Sequence, residues 1–264
     1  MSEQGSHVEE LFGVAGKVVL VTGGSRGIGY GIAEGFVKAG AKVYICSRKA
    51  ADCEKAAAEL SKYGQIEAIT ADLSSVEAAK ALAAEISSRE DRLDVLVNNA
   101  GALWAAELEE YPEAGWDKTY DLNVKGTFYL IQALLPLIRN AASKENPARI
   151  INTGSIDAYH VPKHETYAYS SSKAAVHMLS KHLAWKLASD HITVNVIAPG
   201  LYLSKMLEGT LEAKGEEELL KPVPLKRLAG PSDLAGAAIY LSSKASSFVT
   251  GVVLSVDGGY ATTL

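Results

Sequence analysis

Cysteine is nearly absent. Cys46 and Cys53 are the only two, and they have neither C-x-x-C spacing nor a second pair to complete a zinc site. The opening MSEQGSHVEELFGVAG lacks the charged start and long apolar run of an export signal, so a reduced, cytoplasmic interior is the expectation. No later apolar run reaches the roughly 20 residues needed to span a bilayer. An excess of positive charge is also missing, since 26 Lys and Arg stand against 31 Asp and Glu, a formal net charge of -5. Nothing pulls the chain onto phosphate backbones or anionic lipid, and neither nucleic acid nor membrane is expected as a partner. The six histidines form no ligand set: His177 and His182 are five apart, and no H-E-x-x-H run occurs. No metal is expected. Fixed repeats and low-complexity stretches are absent as well, which argues against solenoids and disordered linkers.

What is present in quantity is apolar sequence. A chain of 264 residues that is 48% hydrophobic can bury a substantial core in one domain. Seven runs, KVVLVTGG, AKVYICSR, IEAITADL, LDVLVNNAG, ARIINTGS, ITVNVIAPG and GVVLSVDGG, read as strand followed by turn. Between them, segments such as GYGIAEGFVKAG and VEAAKALAAEISSRED repeat apolar residues at three and four, the spacing of helices packed on a sheet. The alternation predicts an α/β fold, a single-domain Rossmann-type doubly wound parallel sheet of about seven strands with helices on both faces. The expected boundaries are a mobile leader over 1–16, ending in a surface turn, and one domain over 17–264. The stretch 201–227, LYLSKMLEGTLEAKGEEELLKPVPLKR, is charge-rich, holds two prolines and follows the sixth strand. Ligands of open α/β sheets sit beyond the carboxyl ends of the strands, so this stretch is a candidate substrate lid; a solvated surface helix pair is the plainer reading.

The first strand runs Lys17 to Val21 and delivers Thr22-Gly-Gly-Ser-Arg-Gly-Ile-Gly29 into a helix expected to begin near Tyr30. Glycines at 23, 27 and 29 let backbone amides approach a diphosphate at a helix N-terminus, where the dipole favours negative charge. By itself such a turn also fits a plain strand-to-helix connection. A nucleoside triphosphate loop would need Gly-Lys-Ser/Thr, and here Gly29 precedes Tyr30. At the end of the second strand, where an acid would hold the ribose hydroxyls of NAD, stand Ser47 and Arg48. With Arg26 from the glycine turn they suit a 2′-phosphate, so NADP(H) is the expected cofactor.

Near the middle of the chain, YAYSSSK holds two tyrosines before Lys173. Tyr169 lies one helical turn before the lysine and shares its face, whereas Tyr167 is rotated away. Val176, Leu179, Leu183 and Leu187 continue that stripe inward, so Lys173 extends an apolar face. An ammonium beside a phenol favours the phenolate, and lowering Tyr169 from about 10 towards 7 needs roughly 4 kcal/mol of differential stabilisation. Ser155, at the end of INTGS, is placed to polarise a carbonyl oxygen.

Together TGGSRGIG, NNAG, LNVKG, NTGS, YSSSK, APG and VTGVVLSVDGG, in this order from Lys17 to Gly259, resemble the short-chain dehydrogenase/reductase family. The resemblance implies catalysis by Ser155, Tyr169, Lys173 and Asn123, with Tyr169 as general acid and Asn123, in a distorted helix, supporting a water path from Lys173. For the cofactor it implies Gly23, Ser25, Arg26, Gly27, Ile28, Gly29, Ser47, Arg48, Asp72, Leu73, Asn99, Ala100, Gly101, Tyr169, Lys173, Pro199, Gly200, Leu201 and Ser204. Read alone, Asn123 could be a helix-interior amide and Asp72 a helix cap. Related enoyl reductases place their tyrosine seven residues before the lysine; position 166 here is Thr, and ketone reduction fits better.

Trp104, Tyr159, Val161, Tyr202, Leu203 and Met206 are the expected apolar surroundings of the nicotinamide, or else core and subunit contacts; Asp157, His160, Lys163, His164 and Glu165 add polar ones. The YAYSSSK and APG-L-Y-L-S-K-M context, with fourteen positions from Ser155 to Tyr169, most resembles 3-oxoacyl reductases of the rhamnolipid-pathway type. An NADPH-dependent ketoreductase acting on a 3-oxoacyl ester or related small-molecule carbonyl is the leading reading. A polyol or sugar dehydrogenase is the alternative, and a noncatalytic NADP sensor would have little use for Ser155, Tyr169 and Lys173 together. The resemblance also implies a homotetramer.

Overall fold

The computed structural model describes residues 3–162, 164–203 and 215–263. Seven strands form one parallel sheet: β1 (Val18–Thr22), β2 (Lys42–Ser47), β3 (Ile66–Thr70), β4 (Val95–Asn98), β5 (Ala148–Thr153), β6 (Ile192–Pro199) and β7 (Val253–Val256). Their order is β3-β2-β1-β4-β5-β6-β7. Side chains alternate across each strand, so the Val- and Ile-rich runs feed two separate cores. Leu20, Tyr44, Leu96, Ile150 and Val194 face α4 (Val76–Arg89), α6 (Thr127–Ala141) and the end of α7 (Tyr167–Leu187). Val19, Val21, Ile45, Val97 and Ile197 face α2 (Gly27–Lys38), α3 (Ala50–Leu60) and α9 (Pro231–Ser242). Cys46 belongs to the first core and Cys53 to the second, and both thiols are free. No helix among the described residues is long and apolar enough to cross a membrane.

The chain reverses its direction of sheet growth between β1 and β4. In parallel sheets the carboxyl ends on either side of such a switch diverge and leave a crevice. The glycine turn follows β1, NNAG follows β4, and NTGS follows the adjacent β5; the sheet thus gathers the motifs at one edge.

Three expectations change. Over the described part of the expected leader, 3–16, the chain is not a free tail: Glu3–Phe12 is helix α1, Lys244 pairs with Glu10, Gly16 N–H donates to Gly40 O at 3.0 Å, and Val14 is buried in the second core. The helix after the glycine turn opens at Gly27, three residues before Tyr30, because Arg26 already serves as its N-cap. The buried face of α7 runs through Lys173, Val176, His177, Ser180, Ala184 and Leu187; Leu179 and Leu183 are only half-buried flanks.

Of the 201–227 stretch, 204–214 lies outside the described residues, and with it Ser204 and Met206, as does Lys163. At the ends that are described, Tyr202 bridges to Ala229, α8 spans Glu216–Leu220, and Arg227 makes a two-pronged ion pair with Asp233 at 2.7 and 2.8 Å. Arg227 and the Gly230 amide hold the Asp233 carboxyl down to about 2.

Candidate active site

Two glycines of the first turn are fixed by geometry. Gly27 has φ +58, and a Cβ on Gly29 would lie 2.3 Å from the Gly23 carbonyl oxygen and 2.4 Å from Asn99 Nδ2. No side chain caps α2, which leaves its first-turn amides for an anionic oxygen. The turn is braced from β4: Thr22 Oγ1 accepts from Asn99 N and Ala100 N at 3.0 and 2.9 Å, while Asn99 Nδ2 donates to Thr22 O and Gly23 O. Thr22 was not singled out from sequence, since its role appears only when two loops meet. Ser25 and Ile28 are half-buried on the same turn.

Ser47 closes β2 with its hydroxyl donating to Lys49 O at 3.3 Å, and Arg48 and Arg26 are exposed. Among the described residues neither arginine has an ion-pair partner. Asp72 accepts from Ser74 N at 3.2 Å, and the cap of α4 is Ser75, whose hydroxyl accepts from Ala78 N. Leu73 is buried against Gly126, where a Cβ would lie 2.2 Å from Leu73 O. Pro199 ends β6, Gly200 N–H donates to Val256 O at 3.0 Å, and Leu201 O accepts from Ala229 N at 2.9 Å. An amide-lined turn and two guanidinium groups without ion-pair partners among the described residues, with the Ser47 hydroxyl next to Arg48 in the chain, fit a phosphorylated dinucleotide.

The second cluster lies across the switch point. Ser155 ends the β5 segment and caps a 3-10 turn, Ile156–Ala158, with its Oγ accepting from Asp157 N at 3.1 Å. Tyr169 and Lys173 face it from α7. Lys173 Nζ donates to Thr153 O at 2.7 Å and lies 5.5 Å from the Tyr169 ring centroid. The chain's own groups do not produce the expected lowering of the phenol. Burial pushes Tyr169 up to about 12, hydrogen bonding with Ser155 lowers it, and the Asp157 carboxylate raises it. Burial also brings Lys173 down to about 8, opposed by Asp157. Lys173 stays charged while it donates to the Thr153 carbonyl, and burial is the largest influence on the phenol.

Asn123 sits in a π-helical segment, Asp121–Gly126, the helix distortion that the resemblance implied. Its amide grips Ala102 in both directions, Oδ1 accepting from Ala102 N at 2.8 Å and Nδ2 donating to Ala102 O at 2.9 Å. Nδ2 also donates to Ser172 Oγ at 3.0 Å, and Ser172 donates to Tyr169 O at 2.7 Å. Ser172, fully buried, thus ties Asn123 to the helix of Tyr169 and Lys173; its place directly before Lys173 was the available signal. A Cβ on Gly101 would lie 3.4 Å from Asn123 Oδ1 and 3.7 Å from Lys173 Nζ, which brings the three together.

The apolar residues expected round the nicotinamide divide. Tyr202 is buried in the second core with its hydroxyl donating to Gly27 O at 3.4 Å, so it braces the glycine turn. Tyr159 hydrogen-bonds Ser255 at 2.6 Å, while Val161 and Leu203 are exposed. Trp104 packs on Gly115, with Lys118 Nζ 5.0 Å from its ring centroid. Tyr167 turns away from Lys173, donating to Glu165 at 3.0 Å and meeting Tyr111 edge to face.

Comparison with known proteins gives a consistent set of relatives. A family model described as enoyl-(acyl carrier protein) reductase matches residues 23–261. The rhamnolipids biosynthesis 3-oxoacyl-(acyl-carrier-protein) reductase of Pseudomonas aeruginosa is 47% identical over 253 residues, 94% of this chain and 98% of that protein. The solved active-site complex of Pseudomonas aeruginosa RhlG with NADP superposes with a TM-score of 0.93 at 47% identity, covering 96% of this chain and 99% of that one. The 5-keto-D-gluconate 5-reductase of Escherichia coli is 34% identical over 258 residues, 96% of this chain and 98% of that protein.

Proposed function

Since the chain belongs to the short-chain dehydrogenase/reductase family, we propose that it reduces a ketone to a secondary alcohol with NADPH, and that the ketone is a 3-oxoacyl thioester or a related carbonyl. The observation that carries the reading is the meeting of Ser155, Tyr169 and Lys173 beside the braced glycine turn. The cofactor would be held by the amides of the 23–29 turn, by Ser47, Arg48 and Arg26, by Asp72 and Leu73, by Asn99 to Gly101, and by Pro199, Gly200, Leu201 and Ser204. When bound, it supplies the hydride that adds to the carbonyl carbon.

Tyr169 donates the proton to the carbonyl oxygen as that carbon is reduced, so one C–H and one O–H bond form and the C=O double bond becomes single. A phenol held near 12 carries its proton throughout the neutral range, the form that reduction requires. Ser155, with one lone pair engaged by Asp157 N–H, turns its own hydroxyl hydrogen towards the same oxygen and stabilises developing charge. Lys173 presents a cation beneath the phenol, and Asn123 holds the 101–102 backbone against it. The label of the family model includes enoyl reduction, but Thr166 stands where the tyrosine of that reaction is expected.

The test is NADPH oxidation by the purified protein with a simple 3-oxoacyl thioester. Rapid oxidation is the expected outcome; NADPH binding without oxidation, combined with NADP+ reduction by polyols or sugar acids, would transfer the reading to the gluconate-type chemistry named for the Escherichia coli relative.

We propose further that residues 17–264, with the preceding α1 and Val14 packed on them, act as one catalytic unit in the cytoplasm, with 201–227 covering the substrate. A second copy of the chain is the proposed occupant of the outer face of α7, where Met178 and Trp185 are exposed two turns apart, with Lys181 and His182 between them. Light scattering should give the mass of a homotetramer, and a monomer at micromolar concentration would refute the assembly.

A further inference from the structure

Asp157 occupies a position that none of the roles above requires. It is the second residue after Ser155, in the 3-10 turn that packs against α7. Its amide is used, donating to Ser155 Oγ at 3.1 Å. Its carboxylate accepts no hydrogen bond from any described residue, although it is half-buried. A half-buried carboxylate without donors is costly, and such a group persists where its charge is of use.

The surroundings of that charge are specific. The 3-10 turn packs against α7, the helix that carries Tyr169 and Lys173, and the Asp157 amide lies 3.1 Å from Ser155 Oγ, so its carboxylate is within electrostatic reach of Tyr169 and Lys173, of His160 and His164 in the loop that follows the turn, and of Tyr260 after β7. The loop itself is fixed at two points: the His160 and Tyr260 rings lie 5.0 Å apart, and Tyr159 Oη is 2.6 Å from Ser255 Oγ. Tyr169 is otherwise faced by Ser155, and Lys173 by the Thr153 carbonyl and by His177 on its own helix. His177 is held down to about 4 by burial, with Lys173 and Lys181 adding to this, and is therefore neutral in the working range. Asp157 is the acid acting on both Tyr169 and Lys173.

We infer that the Asp157 carboxylate is a positioning residue that keeps both Tyr169 and Lys173 in their proton-carrying forms, and so biases the site towards donating a proton. The inference rests on Tyr169 acting as the proton donor. Its sign follows from Coulomb's law: a negative charge stabilises the neutral phenol relative to phenolate and the ammonium relative to the amine. Both effects push the loss of activity at high pH further upward. Burial lifts the Asp157 carboxyl itself, while His160, His164 and Lys173 pull it back towards the ionised form.

Asp157→Asn isolates the charge, because the backbone N–H to Ser155 survives any substitution there. The alkaline limb of the kcat/KM profile for ketone reduction is expected to move down by about one pH unit in this variant. It should stay near its original place in Asp157→Glu. Melting temperatures of both proteins report folding, and Asp157→Ser removes the same charge should the asparagine variant not fold. An unmoved limb in a folded, uncharged variant overturns the inference, whatever happens to the rate. If no ketone is turned over at all, the proposed reaction fails, but the charge effect is still read from tyrosinate absorbance. Each protein is then titrated against its Tyr169→Phe counterpart. A lower midpoint in Asp157→Asn than in the parent supports the inference, and equal midpoints overturn it.

Discussion

Tyr169→Phe is expected to lose at least about a hundredfold in turnover while folding normally, since a positioned general acid contributes roughly 10²–10⁴ in rate. The reasoning is local. The phenyl ring keeps the shape that α7 presents to the β5 end, and among the described residues the hydroxyl hydrogen-bonds with the Ser155 side chain alone. Removing it costs little packing and leaves Lys173 on the Thr153 carbonyl, at 2.7 Å, as before. The melting temperature and NADPH affinity should therefore stay close to those of the parent, and the loss should fall on kcat. Near-normal turnover would refute the assignment of Tyr169 as acid. An equal loss in NADPH affinity would instead mean that the phenol matters for binding.

The second large effect concerns the cofactor. Replacing Arg26 and Arg48 together by Ala is expected to weaken NADPH binding by about tenfold to a hundredfold, with NADH affinity almost unchanged. Each charge-assisted hydrogen bond is worth about 1.5–3 kcal/mol, and solvent exposure of both side chains brings the pair below their sum, to about 1.4–2.7 kcal/mol. Neither arginine serves an internal ion pair among the described residues, so the fold should not register their loss. Fluorescence titration with the two reduced cofactors measures both affinities. A parallel fall for NADH would show that the arginines bind something other than the 2′-phosphate.

The strands were readable because parallel strands buried on both faces leave continuous apolar runs, and all seven lie inside the runs marked from sequence. Their ends were less readable: GVVLSVDGG yields only Val253–Val256 as strand, because the glycines that follow turn back under Asp257, whose carboxylate accepts from Gly259 N and Ala261 N. Helix α1 escaped because a short segment with few apolar residues reads as a tail. Its anchor, Lys244, lies far away in sequence.

In the site, spacing located Tyr169 and Lys173 on one face but could not say where the ammonium would point. That was decided by a backbone carbonyl twenty residues earlier, at Thr153. The expected depression of the phenol is opposed chiefly by its burial, which spacing does not report. Tyr202 was left open between pocket and core for a related reason: an aromatic following APG can line a pocket or pack inward, and only the glycine turn across the sheet, whose Gly27 carbonyl takes its hydroxyl, decides between them.

The switch point between β1 and β4 has a consequence for how variants combine. Residues proposed to choose the cofactor, Ser47 and Arg48, hang from β2, whereas Ser155 and Asp157 follow β5, three strand spacings across the sheet. At about 4.8 Å per spacing this separation is about 14 Å, beyond the range in which substitutions usually couple. Changes in cofactor preference and changes in carbonyl chemistry should therefore add as free energies. The two halves of the sheet can be redesigned or selected one at a time, and a double variant that departs from additivity would point to the 99–101 backbone, the strip of chain that touches both.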